Sequence, residues 1–232
     1  MKSLLFAASL LLCASYSTQL AAKDNALTQE EKAAGWELLF DGNTLQGWRN
    51  YQQTTAMENW QVQDGTISLT KSGSGDLIST NVYDNFELSL DWKISQAGNS
   101  GVFILADETE KYIFFHAPEI QIIDNERHPD SKLDSHRSGS LYDMVAAPAS
   151  AYKAAGEWNT LRIKRQDNVL EVWQNDVMTV HIVMHSSTWD KLVAASKFAK
   201  WQGFGELSKG HIGLQDHGDP VSFKNIKIKE LP

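Results

Sequence analysis

The feature that most constrains this chain is an uninterrupted alternation of apolar and polar residues from Phe86 to Ser95. The apolar positions are Phe86, Leu88, Leu90, Trp92 and Ile94, and the polar positions are Glu87, Ser89, Asp91, Lys93 and Ser95. A period of two is the repeat of a β-strand with one buried face, whereas a helix repeats about every 3.6 residues. The segment is therefore predicted to be a long strand that covers a hydrophobic core.

Shorter segments of the same character run through the rest of the chain, and turn residues separate them. Asp64-Gly65 lies between two of these segments and predicts a hairpin. In the last segment the apolar parity shifts near Lys224-Asn225, which predicts a β-bulge. The predicted strands are Trp36–Phe40, Asn59–Gln63, Thr66–Thr70, Gly101–Ala106, Tyr112–Phe115, Glu119–Asp124, Trp158–Gln166, Val169–Gln174, Val177–Val183, His211–Gln215 and Val221–Lys229. Many short strands joined by tight turns indicate an all-β sandwich or barrel.

Two short helices are predicted beside the strands. Thr28–Glu31 has the spacing of a capping box, and Gly35 stands where a helix ends. A second helix is predicted over Ser187–Ser196, with Ser187 as its N-cap. The charged stretch 125–138 is predicted to be a surface loop, and long loops in compact domains often form the wall of a site.

The first residues have the layout of a secretory signal peptide. Lys2 supplies a positive charge, Leu4–Cys13 is apolar, and Ala21-Ala22 offers small residues for cleavage. The apolar stretch is well short of the roughly 20 residues that a membrane-spanning helix needs. We therefore expect residues 1–22 to be a signal peptide and 23–232 to form one domain without a membrane span. The protein is then expected to be secreted, in the periplasm or outside the cell.

Composition excludes several classes of function. The only cysteine is Cys13, inside the predicted signal peptide, so the mature chain has no disulfide, thiolate metal site or cysteine nucleophile. A formal charge of −8 argues against nucleic acid as a partner, because binding phosphates requires a basic surface. The chain also lacks a Gly-x-Ser-x-Gly elbow, an HExxH motif, a Walker loop and a dinucleotide fingerprint.

The remaining candidates for functional residues are polar side chains on strands that are otherwise predicted to lie in the hydrophobic core. In the segment Glu119–Asp124, strict alternation puts Glu119 and Gln121 on one face. Asp124 joins them only if a bulge intervenes or if it turns inward at the strand's end. Polar residues on a central strand must be paired or must line a cleft.

A second polar set follows near the C-terminus. His211, Gly213, Gln215 and His217 share one face of a predicted strand. Gly213 lies in mid-strand, which indicates that another group approaches the backbone closely there. His217 is the better functional candidate of the two histidines, because it lies among polar residues at a strand end.

A third polar set comprises Asp91 and Lys93, followed after a turn by Asn99. A surface ion pair is an equally acceptable interpretation of Asp91 and Lys93. Taken together, the three sets predict one concave sheet face that carries carboxylates, amides, a lysine and a histidine. The chain has eight tryptophans, and each could either pack in the core or stack against a sugar. Stacking is an option because an aromatic face fits the C–H face of a pyranose.

Six motifs, in order along the chain, resemble those of one family. They are Phe40-Asp41-Gly42 with Leu45 and Gly47-Trp48, Gly98 to Phe103, Glu119 to Asp124, Ser138 to Asp143, Gly156 to Asn159, and Gly210 to Gly218 followed by Val221, Phe223 and Asn225-Ile226. As a set they resemble the 3-keto-disaccharide hydrolase domain family over roughly Gly35 to Pro232. The resemblance implies a concanavalin A-like jelly-roll sandwich of two antiparallel sheets, with its site on the concave sheet. It also implies cleavage of a glycoside after oxidation at C3 of the sugar.

The chemistry implied by this resemblance requires a base, an acid for the leaving oxygen and a positive group for the enolate. We expect Glu119 or His217 to move the protons, and Lys93 or a bound divalent cation to stabilise the enolate. Six side chains are expected to orient sugar hydroxyls or to ligate the metal: Asp91, Asn99, Gln121, Asp124, Tyr142 and Gln215. The substrate would be a small carbohydrate, a disaccharide or a glycoside.

Two other functions fit the same residues. Glu119 and Asp124 could form the carboxylate pair of a conventional glycosidase, although Gln121 stands where jelly-roll glucanases carry a second acid. Alternatively, the domain could be a lectin-like module that binds carbohydrate without cleaving it, because fold does not fix function. A strongly perturbed carboxylate or histidine in a cleft favours an enzyme over a binder. An adhesion or scaffold protein is a third possibility, and it predicts no concave pocket.

Overall fold

A computed structural model describes residues 23–232, and the predicted signal peptide lies outside them. Two α-helices occur in this range, α1 (Gln29–Ala33) and α2 (Ser187–Ala195). The strands are β1 (Glu37–Leu38), β2 (Trp48–Asn50), β3 (Trp60–Gln63), β4 (Thr66–Leu69), β5 (Leu77–Ser79), β6 (Phe86–Ile94), β7 (Asn99–Ala106), β8 (Glu119–Ile123), β9 (Asn159–Gln166), β10 (Val169–Gln174), β11 (Val177–Val183), β12 (His211–Leu214) and β13 (Val221–Glu230). Short 3-10 turns lie at Ile113–Phe115, Pro129–Lys132, Asp134–His136, Ala149–Ala151 and Lys197–Lys200.

The strands form two antiparallel sheets, which confirms the predicted sandwich. The larger sheet has eight strands in the order β11-β10-β9-β6-β13-β4-β3, with β1 also paired to β13. The smaller sheet has five strands in the order β2-β5-β12-β7-β8. Because strands far apart in sequence are neighbours in both sheets, the chain crosses repeatedly between the layers.

The main core lies between the two sheets. From the larger sheet, Leu88, Leu90 and Trp92 of β6 contribute fully buried side chains, as the alternation predicted. From the smaller sheet, Val102 and Ile104 of β7 pack into the same cluster, with Ile120 and Ile122 of β8 beside them. Burying these faces is the main favourable term in folding, at about 25 cal/mol for each Å² of apolar surface.

The smaller sheet is also covered on its outer face, so β7 is buried along its whole length. Phe103 on that face packs with Ile78, Ala106, Ile113 and Ala117 in a second, smaller cluster. Ile113 belongs to a 3-10 turn, so the predicted strand Tyr112–Phe115 is wrong. An aromatic run has high β-propensity, but here tertiary packing over the sheet determines its conformation.

The local turn and cap chemistry follows the sequence closely. Asp64 and Gly65 both have positive φ, 49° and 72°, as a type I′ hairpin requires. Thr28 caps α1 with the predicted capping box, whereas α2 is capped by Ser186, one residue before the predicted cap. The register of β13 against β6 shifts between Lys224 and Lys227, which confirms the bulge. In the described range, no helix is long and apolar enough to span a membrane.

Candidate active site

A cleft of about 680 Å³ lies on the outer face of the five-stranded sheet. That volume is in the range of sites for small molecules. Its floor consists of strand residues, and its walls come from the loops before β5, after β12 and around the 3-10 turns. The lining residues are Ser72, Gly73, Gly75, Asp76, Asn99, Tyr112, Phe114, Glu119, Gln121, Tyr142, Lys197, Trp201, Gln215, Asp216, His217 and Gly218.

The floor of the cleft is a row of residues across four adjacent strands. Gly101 of β7 pairs with Gln121 of β8 on one side, and its carbonyl oxygen accepts from the Gln215 amide at 3.0 Å on the other. Leu77 pairs with Leu214, which places Asp76 beside Gln215. Neighbouring strands are about 4.8 Å apart, so the row brings polar side chains from distant parts of the sequence together.

Gly101 leaves the space that the Glu119 side chain occupies. A β-carbon at residue 101 would lie 2.3 Å from Glu119 Oε1 and 2.8 Å from Glu119 Cδ. The Glu119 carboxyl group therefore lies against the backbone of the neighbouring strand β7. A glycine within a strand often marks such a close approach.

Burial controls the protonation of Glu119. The residue is 8% exposed, and desolvation raises its pKa to about 8. Lys197 opposes this shift and Asp76 adds to it, but neither outweighs burial. A carboxyl group with a pKa near neutrality can both donate and accept a proton at physiological pH, as general acid–base catalysis requires.

Asp76 is a second carboxyl group with a raised pKa in this cleft. Desolvation raises its pKa to about 7, although its Oδ1 accepts a hydrogen bond from the Asp216 amide at 2.9 Å. Asp216 itself accepts three bonds of 3.0 Å from the amides of Gly73, Ser74 and Gly75, which fixes the loop before β5. Asp76 is absent from the predicted site residues, and its position directly after the glycine-rich segment Ser72–Gly75 is the one sequence signal that marks it.

The positive group in the cleft is Lys197. Its Nζ lies 4.0 Å from the centroid of the Tyr142 ring, a cation–π contact. Desolvation lowers the pKa of Lys197, although Glu119 and Asp143 act against this shift. Lys197 begins a 3-10 turn after α2, where no sequence pattern distinguished it from the surface lysines.

Three amide oxygens in the cleft floor are buried without a hydrogen-bond partner. They are Oδ1 of Asn99, Oε1 of Gln121 and Oε1 of Gln215. Buried polar atoms are nearly always partnered, so these oxygens require a donor or a cation. Sugar hydroxyls are suitable donors, and amide oxygens are also ligands for hard divalent cations. Among the described residues, no group of three or more His, Cys, Asp or Glu side chains is arranged to hold a metal.

The rim of the cleft is aromatic on one side. Tyr112 and Phe114 stack with centroids 5.2 Å apart and planes 7° apart, and Trp201 lies 5.6 Å from Phe114. Tyr112 is 44% exposed, so part of its ring faces the solvent. Exposed aromatic faces beside polar groups suit the C–H face of a sugar ring.

Two of the predicted site residues lie on the other sheet. Lys93 lies on the polar face of β6 with its Nζ 4.8 Å from the Trp158 ring centroid. Asp91, on the same face, accepts hydrogen bonds from Thr160 Oγ1 at 2.7 Å and Asn225 Nδ2 at 2.8 Å. The expectation that one sheet face bears all the polar residues is therefore wrong for Asp91 and Lys93, because β6 belongs to the eight-stranded sheet.

Asp124 also lies outside the cleft, because β8 continues in strict alternation and has no bulge. Its side chain faces the opposite side from Glu119 and Gln121 and is completely buried. It accepts hydrogen bonds from the amides of Ala97 at 2.8 Å and Glu126 at 3.0 Å. Burial alone would raise the pKa of Asp124, but these bonds hold it below the ordinary value. The predicted carboxylate pair of Glu119 and Asp124 is thus divided between two faces.

The cleft does collect the other six predicted residues. Asn99, Glu119, Gln121, Tyr142, Gln215 and His217 all line it. His217 is exposed at the mouth, with its ring 6.3 Å from that of His128. His211 is separated from this group, because the register shifts between His211 and Gly213 and its Nδ1 lies 2.7 Å from the Ser79 carbonyl oxygen.

An aromatic-rimmed cleft that holds a buried carboxyl group with a pKa near neutrality marks this face of the β-sandwich as an active site, and it fits the class of carbohydrate hydrolases. Within that class, residues 35–229 match the 3-keto-alpha-glucoside-1,2-lyase-like domain family, and the chain belongs to this family. A relative from Bacteroides thetaiotaomicron, named 3-keto-disaccharide hydrolase, is 38% identical over 249 aligned positions. The alignment covers 94% of this chain and 86% of the relative.

Solved structures agree with this assignment. A Parabacteroides distasonis protein, described as a candidate glycosyl hydrolase, superposes with a TM-score of 0.84 at 34% identity. The superposition covers 90% of this chain and 100% of that one. A Bacillus subtilis protein described as having a galectin-like fold matches with a TM-score of 0.54 at 11% identity, over 90% of this chain and 94% of that one. This last likeness concerns the fold alone, and it confirms the predicted jelly-roll class.

Proposed function

We propose that this hydrolase cleaves the glycosidic bond of a 3-keto-glycoside, a disaccharide or smaller glycoside, by elimination and hydration. The observation that carries the proposal is the Glu119 carboxyl group, which is buried, near neutral in pKa and close to a lysine in one cleft. The name of the Bacteroides relative supports the choice of substrate.

The reaction needs only the groups in the cleft and a water molecule. A ketone at C3 acidifies the proton on C2, so a base removes this proton and its electron pair forms an enolate. The enolate expels the oxygen on C1, which takes a proton from an acid and leaves as an alcohol. Water then adds to C1 of the enone, and C2 recovers a proton. The sum is 3-keto-glycoside plus water giving a 3-keto sugar plus an alcohol.

The cleft offers a residue for each role. Glu119 moves the proton at C2, and Lys197, whose ammonium group lies in the same cleft, stabilises the enolate. His217 at the mouth is the second group for the leaving oxygen. Asn99, Gln121 and Gln215 accept hydrogen bonds from sugar hydroxyls through their unpartnered oxygens, or hold a divalent cation if the enzyme uses one.

The test is turnover of a 3-keto-disaccharide beside its unoxidised parent, with and without chelator. Cleavage of the keto sugar alone supports the elimination route, and loss of activity with chelator adds the cation. Cleavage of both sugars would instead indicate a two-carboxylate mechanism, for which Glu119 and Asp76 share the cleft. Binding of both without cleavage would contradict the proposal and favour a lectin-like role.

Two lysines make a matched pair for this test. Lys197→Met removes the charge in the cleft and is expected to lower kcat by about 100-fold or more, the usual cost of losing a group that stabilises a developing oxyanion. Lys93→Met removes a charge on the other sheet and is expected to leave kcat unchanged. Equal losses from both variants would remove Lys197 from the proposed role.

We also propose that the protein is exported, because residues 1–22 have the composition of a signal peptide. N-terminal sequencing of the protein recovered from the periplasm or medium should begin near Lys23. Recovery of the full-length chain from the cytoplasm alone would contradict export.

A further inference from the structure

A buried histidine outside the cleft is held between two carboxylates. Nδ1 of His136 lies 2.8 Å from Asp130 Oδ1, and Nε2 lies 2.8 Å from Asp143 Oδ1. The residue is 7% exposed. A neutral imidazole has one N–H, so only the imidazolium form can donate to both carboxylates. A buried charge needs such pairing, and here both of its donors have partners.

Each of these carboxylates also contacts a wall residue of the cleft. The second oxygen of Asp130 accepts the Tyr142 hydroxyl at 2.9 Å. The second oxygen of Asp143 accepts the backbone amide of Lys197 at 2.7 Å. The carboxylate–histidine–carboxylate unit therefore joins the two residues whose ring and ammonium group are in contact at 4.0 Å.

The same unit connects to the proton-transfer group. The Tyr142 amide donates to the Glu119 carbonyl oxygen at 3.0 Å, which ties the backbone of Tyr142 to the first residue of β8. The His136 and Tyr142 rings are 4.4 Å apart, so the histidine also supports the tyrosine through ring contact. Burial alone would raise the pKa of Asp130, but the hydrogen bonds from His136 and Tyr142 hold it below its ordinary value.

The Tyr142 hydroxyl donates its only proton to Asp130. Its oxygen can therefore only accept a hydrogen bond from any other partner. Desolvation and the Asp130 carboxylate raise the pKa of Tyr142, so the phenol stays neutral. A neutral acceptor beside Lys197 suits a sugar hydroxyl.

We propose that His136 is a positioning residue, which, bound between Asp130 and Asp143, fixes Tyr142 and Lys197 relative to Glu119. This role rests on the proposed function for its catalytic consequence, but its structural content can be measured without turnover. Groups that orient the residues in contact with substrate commonly matter by 10- to 100-fold although they never touch it.

The first experiment is NMR of the wild-type protein and of His136→Gln, with His181→Gln as the matched control, because His181 is an exposed histidine beside one carboxylate. In His136→Gln the amide signals of Lys197 and Tyr142 should move, and in His181→Gln they should not. Unmoved Lys197 and Tyr142 signals in His136→Gln would overturn the proposal even if the enzyme cleaves its substrate.

The second experiment is kinetic. His136→Gln is expected to lower kcat by about 100-fold with KM nearly unchanged, since misplacing reacting groups by about 1 Å costs this much. The double variant with Tyr142→Phe should lose less than the two single losses multiplied together, because the changes break one shared network. Fully multiplicative losses would contradict the proposal. If His136→Gln fails to fold, Asp143→Asn is used instead, since its amide retains an acceptor for the Lys197 backbone while removing the charge opposite His136.

Discussion

The carboxyl group at residue 119 depends on two residues that lie on adjacent strands of one sheet. Glu119 has the carboxyl group, and Gly101, on the adjacent strand, has no side chain to occupy the same space. The result is a carboxyl group desolvated by the protein and therefore raised in pKa to about 8. Raised carboxyl pKa values of this origin are a common device of acid–base enzymes.

Gly101→Ala tests this arrangement. The new methyl group would lie 2.3 Å from Glu119 Oε1, so the end of this flexible side chain must move, whereas the backbone need not. We expect a folded protein with kcat lowered by about 100-fold, which is the cost of misplacing a catalytic group by about 1 Å. The check is kinetics on the 3-keto substrate together with a thermal melt. An unchanged kcat in the folded Gly101→Ala variant would show that Glu119 does not need the space that the glycine leaves.

The pKa of Glu119 also predicts how stability depends on pH. Between the ordinary value of 4.5 and about 8, folded Glu119 keeps a proton that the unfolded chain has released. The folded state then binds more protons than the unfolded state, so the free energy of unfolding falls as pH rises through this window, by at most about 1.4 kcal/mol per pH unit for one group. Above pH 8 the contribution levels off.

Glu119→Gln removes this ionisation. We expect the variant to be inactive. Its free energy of unfolding should fall less than that of the wild type between pH 5 and 8. The raised pKa of Asp76 should still make the free energy of unfolding fall somewhat as pH rises. Denaturant unfolding at several pH values measures the effect. Glu58→Gln, an exposed control, should follow the wild type. Identical curves for Glu119→Gln and the wild type would mean that Glu119 is ionised in the folded protein.

At the scale of elements, the cleft is built from strands that the sequence reveals and loops that it does not. Alternation correctly placed Glu119 and Gln121 on one face of β8, because a strand has only two faces and its apolar residues identify the inner one. The same reasoning could not tell which sheet β6 joins, so Asp91 and Lys93 were assigned to the wrong face. Sheet membership depends on pairing between distant segments, and local periodicity contains no information about it.

The loop residues escaped prediction for a different reason. Lys197 and Trp201 reach the cleft through a 3-10 turn after α2, and a single turn has no periodicity. The segment Tyr112–Phe115 has the composition of a strand but forms a turn that covers the sheet. Both segments lie where tertiary packing determines the backbone, and both supply walls of the site.

The aromatic rim predicts a specificity element. Trp201→Ala removes a face of the cluster formed with Phe114 and should raise KM by about 10-fold with little change in kcat, since one aromatic contact is worth about 0.5–1.5 kcal/mol. Trp36→Ala is the matched control, because Trp36 packs against lysines on the other sheet. Steady-state kinetics separates the two parameters. A fall in kcat without a change in KM would place Trp201 in the chemistry instead of in binding.

At the scale of the whole molecule, the two sheets differ in how far their outer faces are exposed to solvent. The eight-stranded sheet buries one face and exposes a polar one, which includes Asp91 and Lys93. In the five-stranded sheet β7 and β8 are buried along their whole length, so the polar side chains of these strands are desolvated even on the outer face. A site that depends on raised carboxyl pKa values therefore lies on the sheet where burial comes from the fold itself.

The central claim, that this fold cleaves a 3-keto-glycoside by elimination through Glu119, is tested most directly in D₂O. Single-turnover cleavage of a 3-keto-disaccharide should release a 3-keto sugar with deuterium at C2, because C2 loses its proton and recovers one from solvent. Released product incubated alone corrects for exchange without enzyme, and Glu119→Gln should show neither cleavage nor exchange. Efficient cleavage that leaves hydrogen on C2 and shows no isotope effect with a substrate deuterated at C2 would contradict elimination and would mean direct displacement at C1.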